Sequence, residues 1–462
     1  MSEVTLIYPF FKQPRDRSIF RFPPLGLGYI ASNLRMNGIP VTIIDCTFSN
    51  EEDAAEKLRK LKSRIIGIYS MYTMEENSLK LAKLLRNNCE LLVAGGPLPS
   101  SCPEKFTQDF DAVVIGEGEQ TMLELVKSLD EGKAFSKIAG IAFRKKLRNV
   151  TQNPEANNNS LIYTPPRQHI MNLDSIPFPT RDLFDNAAYQ DYYKRGFGYT
   201  VTSIMTSRGC PFNCDFCSKP VFGDTFRAAS AESVVNEIED AISFGYERIF
   251  FQDDCFTLDR ERVIKICDEI ILRKLKIDWE CLSRVDAIRP DTIYKMKQAG
   301  CKRIFFGIES GNDSILRIMN KRFTVNQARK TVELTASEGI KTGAFFIFGY
   351  PGETNETILN TIRFATSLTL DYLSFTLPYP IPGTGLYEKV KDCQKNPANR
   401  AKQHRLVDHT LTFESTFSEG KLKFAIVKAM LQFNAKKHLK PIYFLVRGPL
   451  EILTDNIFKA LK

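Results

Sequence analysis

Histidine is nearly absent from this chain: four occur in 462 residues, at positions 169, 404, 409 and 438, and none lies in the first 150. All four fall outside the motifs described below, so chemistry centred on a histidine is not expected. No apolar run reaches the roughly 18 residues that a membrane-crossing helix requires. No cleavable signal pattern follows Met1-Ser2-Glu3, which leads straight into an apolar stretch, and a cytoplasmic protein without a transmembrane segment is expected. The first strand pattern is not followed by G-x-G-x-x-G, which weakens a dinucleotide-binding reading. The eleven cysteines are an odd number without export features, so a disulfide framework gives way to reduced thiols or metal ligands.

What is present is ordinary for a globular chain: 43% hydrophobic and 25% charged residues, with length enough for two large domains and a smaller piece. The formal net charge is +9, and residues 419 to 462 hold nine Lys/Arg against Glu419, Glu451 and Asp455. That basic end is read as a solvated helix face, or as a surface for an acidic partner, nucleic acid or membrane.

Short β-rich runs alternate with helical patterns over residues 1 to 150, at Val4–Tyr8, Val41–Asp45, Ile65–Tyr69, Leu91–Ala94 and Ala112–Ile115. Each run is almost wholly apolar, as for parallel strands buried on both faces, and a doubly wound sheet would place a ligand at their ends. Residues 151–195, with Asn157-Asn158-Asn159, Pro165-Pro166, Pro177 and Pro179, read as a linker. Alternation resumes at Ser203–Thr206, Arg248–Gln252, Asp278–Leu282, Arg303–Ile308, Lys341–Phe348 and Tyr372–Leu377. Six such strands predict a partial (β/α)6 TIM barrel over 196–385, with its chemistry at the C-terminal strand ends. A mainly helical region, 386–462, closes the chain with helices predicted near Gly420–Leu439 and Leu450–Leu461, separated by Pro441 and Gly448-Pro449. The fold class is thus α/β.

Cys210-Pro-Phe-Asn-Cys214-Asp-Phe-Cys217 is the most informative stretch. Its C-x3-C-x2-C spacing brings three thiolates around one face of a [4Fe–4S] cube and leaves one iron without a cysteine; a zinc site would recruit a fourth Cys or His, and none follows at that spacing. The other cysteines are scattered and read as small core residues, although Cys255 and Cys281 lie near strand ends. The spacing, with an aromatic before the last cysteine, resembles the radical S-adenosylmethionine (SAM) superfamily, in which the open iron chelates SAM.

The resemblance extends to four strand ends: Phe251-Gln252-Asp253-Asp254, Trp279 to Asp286, Gly307-Ile308-Glu309-Ser310-Gly311, and Phe346 to Glu353. It implies that Glu309 and Ser310 contact the methionyl or ribose groups of SAM, Arg284 its carboxylate, and Gly349 with Pro351 its adenine, while Asp253 lines the same site. The bland readings are an internal salt bridge between Arg284 and Asp286 and a helix cap at Asp253. Pro378-Tyr379-Pro380-Ile381-Pro382-Gly383-Thr384-Gly385 resembles the family's loop over the active site, where Tyr379 would face substrate or simply pack.

In the first domain, Pro23-Pro24-Leu25-Gly26-Leu27-Gly28, Gly95-Gly96-Pro97 and Gly116-Glu117-Gly118-Glu119 resemble the Rossmann-like cobalamin-binding domain fused to radical SAM enzymes. The Asp-x-His-x-x-Gly element of other cobalamin proteins is missing. The resemblance therefore implies base-off cobalamin with no histidine ligand, and Tyr72, in the loop after the third strand, as the residue facing the lower side of cobalt. Loss of the cofactor, with the domain kept as a scaffold, is the alternative.

Taken together, the resemblance identifies a cobalamin-dependent radical SAM C-methyltransferase of the class B type. Such an enzyme abstracts hydrogen from an unactivated carbon with a 5′-deoxyadenosyl radical and transfers methyl from methylcobalamin. A protein or peptide side chain, a lipid or a tetrapyrrole would serve as substrate, with a glutamine of methyl-coenzyme M reductase as one candidate. An external electron donor such as ferredoxin or flavodoxin is implied, and a nucleic-acid partner is not. The alternative is a non-methylating member resembling the anaerobic porphyrin-ester cyclases.

Overall fold

The computed structural model describes residues 3–11, 18–144, 160–394 and 411–461, with residues 440–446 as backbone alone. The described residues divide into two compact bodies, one of those up to Pro211 with Lys219–Ile249, the other of Phe212–Ser218 with those from Phe250 onward.

The first body opens with β1 (Val4–Tyr8), α1 (Leu25–Met36), β2 (Val41–Asp45), α2 (Glu51–Arg59), β3 (Ile65–Tyr69), α3 (Glu75–Leu85), β4 (Leu91–Gly95), α4 (Pro97–Ser101), β5 (Ala112–Val114) and α5 (Glu119–Asp130). Strands β2-β1-β3-β4-β5 lie side by side and parallel, with Val4 opposite both Val41 and Ile65. Because successive strand residues point to opposite faces, Val4 and Leu6 join a core with Leu27, Ala31 and Val126, while Ile7 joins one with Leu58, Leu81 and Phe106. Both faces carry a buried apolar core, as the nearly continuous apolar runs predict. The reversal of strand order at β1/β3 opens the crevice in which doubly wound sheets bind ligands.

Two strands were not predicted. β6 (Ile141–Arg144) and β7 (Leu161–Tyr163) extend the sheet antiparallel beyond β5, with Val114 opposite Ile141. The stretch read as a linker also carries a helix, α6 (Asn186–Phe197), started by Asp185, whose carboxylate accepts from Ala188 N at 3.1 Å, and ended by Gly198 in the left-handed conformation. Tyr189 and Tyr193 on α6 are fully buried, and the Tyr189 hydroxyl donates to Asp45 at 2.6 Å. Residues 151–159, with the asparagine run, lie outside the described residues.

The first body ends with β8 (Val201–Ile204), the short antiparallel pair β9 (Ser207–Arg208) and β10 (Arg227–Ala228), α7 (Ala231–Ser243) and the first residues of β11 (Arg248–Phe251), a strand that the boundary between the bodies divides. The second body continues with α8 (Arg260–Leu272), β12 (Asp278–Ser283), α9 (Pro290–Gln298), β13 (Cys301–Glu309), α10 (Asp313–Ile318), α11 (Val325–Ser337), β14 (Lys341–Ile347), α12 (Asn355–Ser367), β15 (Tyr372–Thr376) and α13 (Gly385–Val390). Within the second body β15, β14, β13 and β12 lie side by side and parallel, so consecutive strands are neighbours, as in a partial barrel. Its core is rich in aromatics: Phe251 stacks on Phe256 with centroids 4.4 Å apart, beside Trp279.

The terminal helices are α14 (Glu419–His438) and α15 (Lys440–Ala460). The second begins ten residues before the predicted Leu450. Pro441 falls in its first turn, where a missing N–H breaks no helical bond, so the break from α14 comes at this proline as expected, whereas Gly448-Pro449, expected to belong to the break, lies inside α15. No described helix is long and apolar enough to cross a membrane.

Candidate active site

At the carboxyl ends of β3, β4 and β5 the first body presents backbone more than functional groups. Gly96 follows β4 with φ +108° and ψ −173°, a region open essentially to glycine alone. A Cβ there would stand 2.6 Å from the Ser70 carbonyl and 2.9 Å from the Tyr69 ring. Gly116 N donates to Ser100 Oγ at 3.0 Å, which ties the loop after β5 to α4. The Tyr72 hydroxyl donates to Ser101 Oγ at 2.8 Å, so Tyr72, Gly95, Gly96, Pro97 and Gly116 share one end of three adjacent strands. Pro24 and Leu25 are buried at the start of α1, whereas Gly26 is exposed and a Cβ on it would meet nothing within 4 Å. Gly95 has its first neighbour at 3.8 Å, so the backbone here stands open to a broad, flat ligand. These residues fit cobalamin.

Glu117 and Glu119 have another occupation. The buried Glu117 carboxylate accepts from Arg208 Nη1 at 2.7 Å, Arg227 Nη1 at 2.9 Å and Ile170 N at 2.8 Å, and Glu119 accepts from Arg208 Nη2 at 2.6 Å. The two arginines lie on β9 and β10, the strands that bracket the cysteine loop, and Arg208 also stacks over Tyr29, with its guanidinium carbon 5.4 Å from the ring centroid. The side chains at this strand end therefore bind one another. Gly118 packs against Ile30, which a Cβ would approach to 2.7 Å. His169, read as lying outside every motif, stands 3.4 Å from Glu117; His404 and His409 lie outside the described residues.

The chain passes from the first body to the second inside the cysteine motif. Cys210 belongs to the first, where its N–H donates to Gly223 O at 3.3 Å and its carbonyl accepts from Lys219 Nζ at 2.8 Å. Cys214 and Cys217 belong to the second, joined by a turn in which Cys217 N donates to Cys214 O at 3.1 Å. Among the described residues no three His, Cys, Asp or Glu side chains stand close enough to share one metal ion. Cysteines that each take a different iron of a cube do not need to.

Asp215, between the cysteines, is turned away from metal chemistry. Its carboxylate accepts from the Tyr350 hydroxyl and from Lys389 Nζ, and its carbonyl accepts from Leu386 N at 2.9 Å. The loop is thereby fastened to the Gly349–Glu353 turn and to α13, and soft thiols are left as the donor set, which fits an iron–sulfur cluster.

Arg284, at the end of β12, is 6% exposed. Its Nε and Nη2 grip Asp286, each at 2.9 Å, Nη2 also reaches the Lys321 carbonyl, and Nη1 points at Cys214 Sγ, 3.3 Å away. The rim salt bridge and a place beside the cluster loop thus coexist. Glu309 has φ +73°, rare for a side chain other than glycine, and its carboxylate pairs with the buried Lys321 at 3.3 Å. A Cβ on Gly307 would lie 2.7 Å from Glu309 Oε1, so a side chain there would push on that carboxylate. Ser310 is buried, 3.2 Å from Thr361 Oγ1, and Asp253 is wholly buried.

Gly349 N and Tyr350 N donate to Glu353 Oε2 at 2.7 and 3.1 Å, while Glu353 Oε1 is buried with no partner among the described residues. Burial pushes this carboxyl up to about 8, against the two backbone donors that pull it down. Pro351 and Tyr379 are half-buried. Cys255 and Cys281 are both buried, and burial also pushes the Cys281 thiol up. Sequence reasoning passed over Lys321, Asp215 and Lys389. Asp215 had a signal, its place inside the cysteine motif; Lys321 belongs to no motif.

Residues 204–365 match the radical SAM superfamily and residues 17–126 match the B12 binding domain. An uncharacterized methyltransferase of Pyrococcus horikoshii is 37% identical over 378 residues, 79% of this chain and 78% of its own length. The anaerobic magnesium-protoporphyrin IX monomethyl ester cyclase of Rubrivivax gelatinosus is 28% identical, over 84% of this chain and 70% of its own. In fold, the chain is similar to the radical SAM methyltransferase TsrM of Kitasatospora setae, solved with cobalamin and a [4Fe–4S] cluster, with a TM-score of 0.69, 19% identity, and coverage of 86% of this chain and 76% of that one. The chain belongs to the radical SAM enzymes with a B12-binding domain, a methyltransferase family that works with a [4Fe–4S] cluster, SAM and cobalamin.

Proposed function

We propose that this protein is a C-methyltransferase acting on an unactivated carbon. The observation that carries the reading is the pairing, in one chain 37% identical to a relative named as a methyltransferase, of the cysteine loop with the open glycine strand ends of the B12-binding domain. In this reading residues 1–150 hold cobalamin, 196–385 hold the cluster and SAM, and 386–462 complete the structure. When bound, these groups supply radical hydrogen abstraction and delivery of a methyl group. Cys210, Cys214 and Cys217 hold the cluster; Arg284, Glu309, Ser310, Gly349, Pro351 and Asp253 line the SAM site; Pro24, Leu25, Gly26, Tyr72, Gly95, Gly96, Pro97 and Gly116 to Glu119 surround cobalamin, with Glu117 and Glu119 acting through their backbone. Tyr379 orients substrate. The protein's work is to position these groups and exclude water, because radical capture of a methyl group needs no general base. A ferredoxin or flavodoxin supplies the electron.

The relatives' names include a porphyrin ester and a cytidylyl phosphonate, which share no scaffold. A glutamine of methyl-coenzyme M reductase finds no support among them, and the reading stops at the type of carbon. The second reading, a non-methylating cyclase, is favoured by the 28% identity to the Rubrivivax enzyme.

Turnover with SAM bearing a trideuterated methyl group separates the two. Methyl transfer yields 5′-deoxyadenosine and S-adenosylhomocysteine in near-equal amounts and, after the first turnover, a product heavier by three deuteriums. Substrate consumed with 5′-deoxyadenosine but without labelled methyl would overturn the methyltransferase reading in favour of the cyclase.

A further inference from the structure

Within the second body, one cation is aimed at a cysteine assigned to the cluster. Arg284 Nη1 lies 3.3 Å from Cys214 Sγ, and the rest of the fork is spoken for: Nε and Nη2 hold Asp286 in a bidentate pair, and Nη2 also donates to the carbonyl of Lys321. The guanidinium lies over the Phe212 ring, with Cζ 3.8 Å from its centroid, and the Phe323 centroid is 5.4 Å away. The group is thus pinned by two polar anchors and held against two aromatic rings, and 6% of the residue remains exposed. An arginine so held cannot follow the sulfur or retreat to water, so its N–H stays directed at Cys214.

We propose that Arg284 is a positioning residue that sets the reduction potential of the cluster by a charge-assisted N–H···S hydrogen bond to Cys214. The inference rests on the reading that Cys214 is a cluster ligand. Reduction adds one negative charge to the cluster and its thiolates; a buried cation donating to one of those sulfurs stabilises the reduced state more than the oxidised one and raises the potential. Asp286 and the Lys321 carbonyl fix the direction of the donor, and their own negative ends are taken up by the opposite edge of the guanidinium. Contact between Arg284 and the SAM carboxylate is a separate role and is not required.

The test is a potentiometric titration with dithionite of anaerobically reconstituted protein, without SAM, followed by EPR of the reduced cluster. Arg284→Gln removes the cation and is expected to move the midpoint to a more negative potential than wild type. Arg284→Lys keeps the charge but loses the planar fork, and a smaller shift of the same sign is expected. If Arg284→Gln fails to hold a full cluster, the Arg284→Lys midpoint alone decides. An unchanged midpoint in a variant carrying about four irons overturns the proposal. Failure of the underlying reading looks different: Cys214→Ala would then keep its irons and its reduced-cluster signal.

Discussion

The ends of the strands in the two bodies are built on opposite principles. In the first body the ends of β4 and β5 are glycine backbone, and the nearby carboxylates of Glu117 and Glu119 are consumed by Arg208 and Arg227. In the second, the ends of β12, β13 and β14 carry side chains held in defined directions: Arg284 by Asp286, Glu309 by Lys321, and the Gly349-Tyr350 turn by Glu353. A broad macrocycle is received by shape, for which open backbone serves, whereas a thiolate cluster and a zwitterionic nucleoside are received by charge and hydrogen bonds. Small-residue changes should therefore damage the first region, and polar changes the second.

The largest effect expected is on the cluster. Changing Cys210, Cys214 or Cys217 singly to Ala should abolish SAM cleavage and leave the reconstituted protein short of about four irons. The comparison gains force if cobalamin retention is unaffected in the same preparations. Cys46→Ala, by contrast, removes a buried thiol that burial pushes up to about 12, and it should leave the iron content unchanged. Normal cleavage in any one of the three motif variants would remove the cluster assignment.

Next comes Gly96→Ala. Its backbone conformation is one that only glycine occupies comfortably, and the new methyl would meet the Ser70 carbonyl at 2.6 Å, so a loss of about 1–3 kcal/mol is expected. Thermal unfolding measures it, and the absorbance of retained cobalamin should fall while iron content holds. Equal loss of iron and cobalamin would erase the contrast between the regions.

A pH effect probes the second region. Glu353 has its folded value raised from 4.5 to about 8 by burial, so the folded state favours its neutral form. Such a group contributes stability that is full below about 4.5 and is lost as pH rises through about 8. Wild type should therefore lose melting temperature between pH 5 and pH 9 relative to Glu353→Gln, which cannot ionise. Parallel curves for the two proteins would mean that Glu353 is charged in the fold.

How much of this was legible in the sequence depended on whether the cause was local. The five parallel strands of the first body declared themselves as nearly continuous apolar runs, since burial on both faces leaves little room for polar residues such as Thr5. β6 and β7, of four and three residues, are too short for periodicity to detect, and they exist because β5 offers an edge. Pro441 marked the helix break correctly, but Gly448-Pro449 misled, because a proline inside a helix costs a hydrogen bond without having to end it, and only the backbone shows that α15 runs on through it. At the site, the cysteine spacing and the pair of Arg284 with Asp286 could be read within a few residues. The arginine partners of Glu117 lie about ninety and more residues away in the chain, so the sequence did not show that Arg208 and Arg227 take up its carboxylate. Lys321 could not be found at all, since its place against Glu309 follows from the turn after α10.

The smallest effect expected is at Tyr72, and it asks whether the first region uses any side chain towards cobalt. The Tyr72 hydroxyl donates to Ser101 Oγ at 2.8 Å, which fixes the ring at the end of β3. Tyr72→Phe removes that bond and should cost about 1 kcal/mol in stability, with cobalamin still retained. No histidine lies in residues 1–150, so EPR of bound cob(II)alamin should lack superhyperfine splitting from an axial nitrogen in wild type and variant alike. If the ring faces the lower side of cobalt, loss of its tether shifts the cobalt hyperfine pattern slightly and adds no nitrogen lines. A pattern identical to wild type would place the lower face against the backbone of Gly95 and Gly96 instead, and the first region would then hold its cofactor by shape alone.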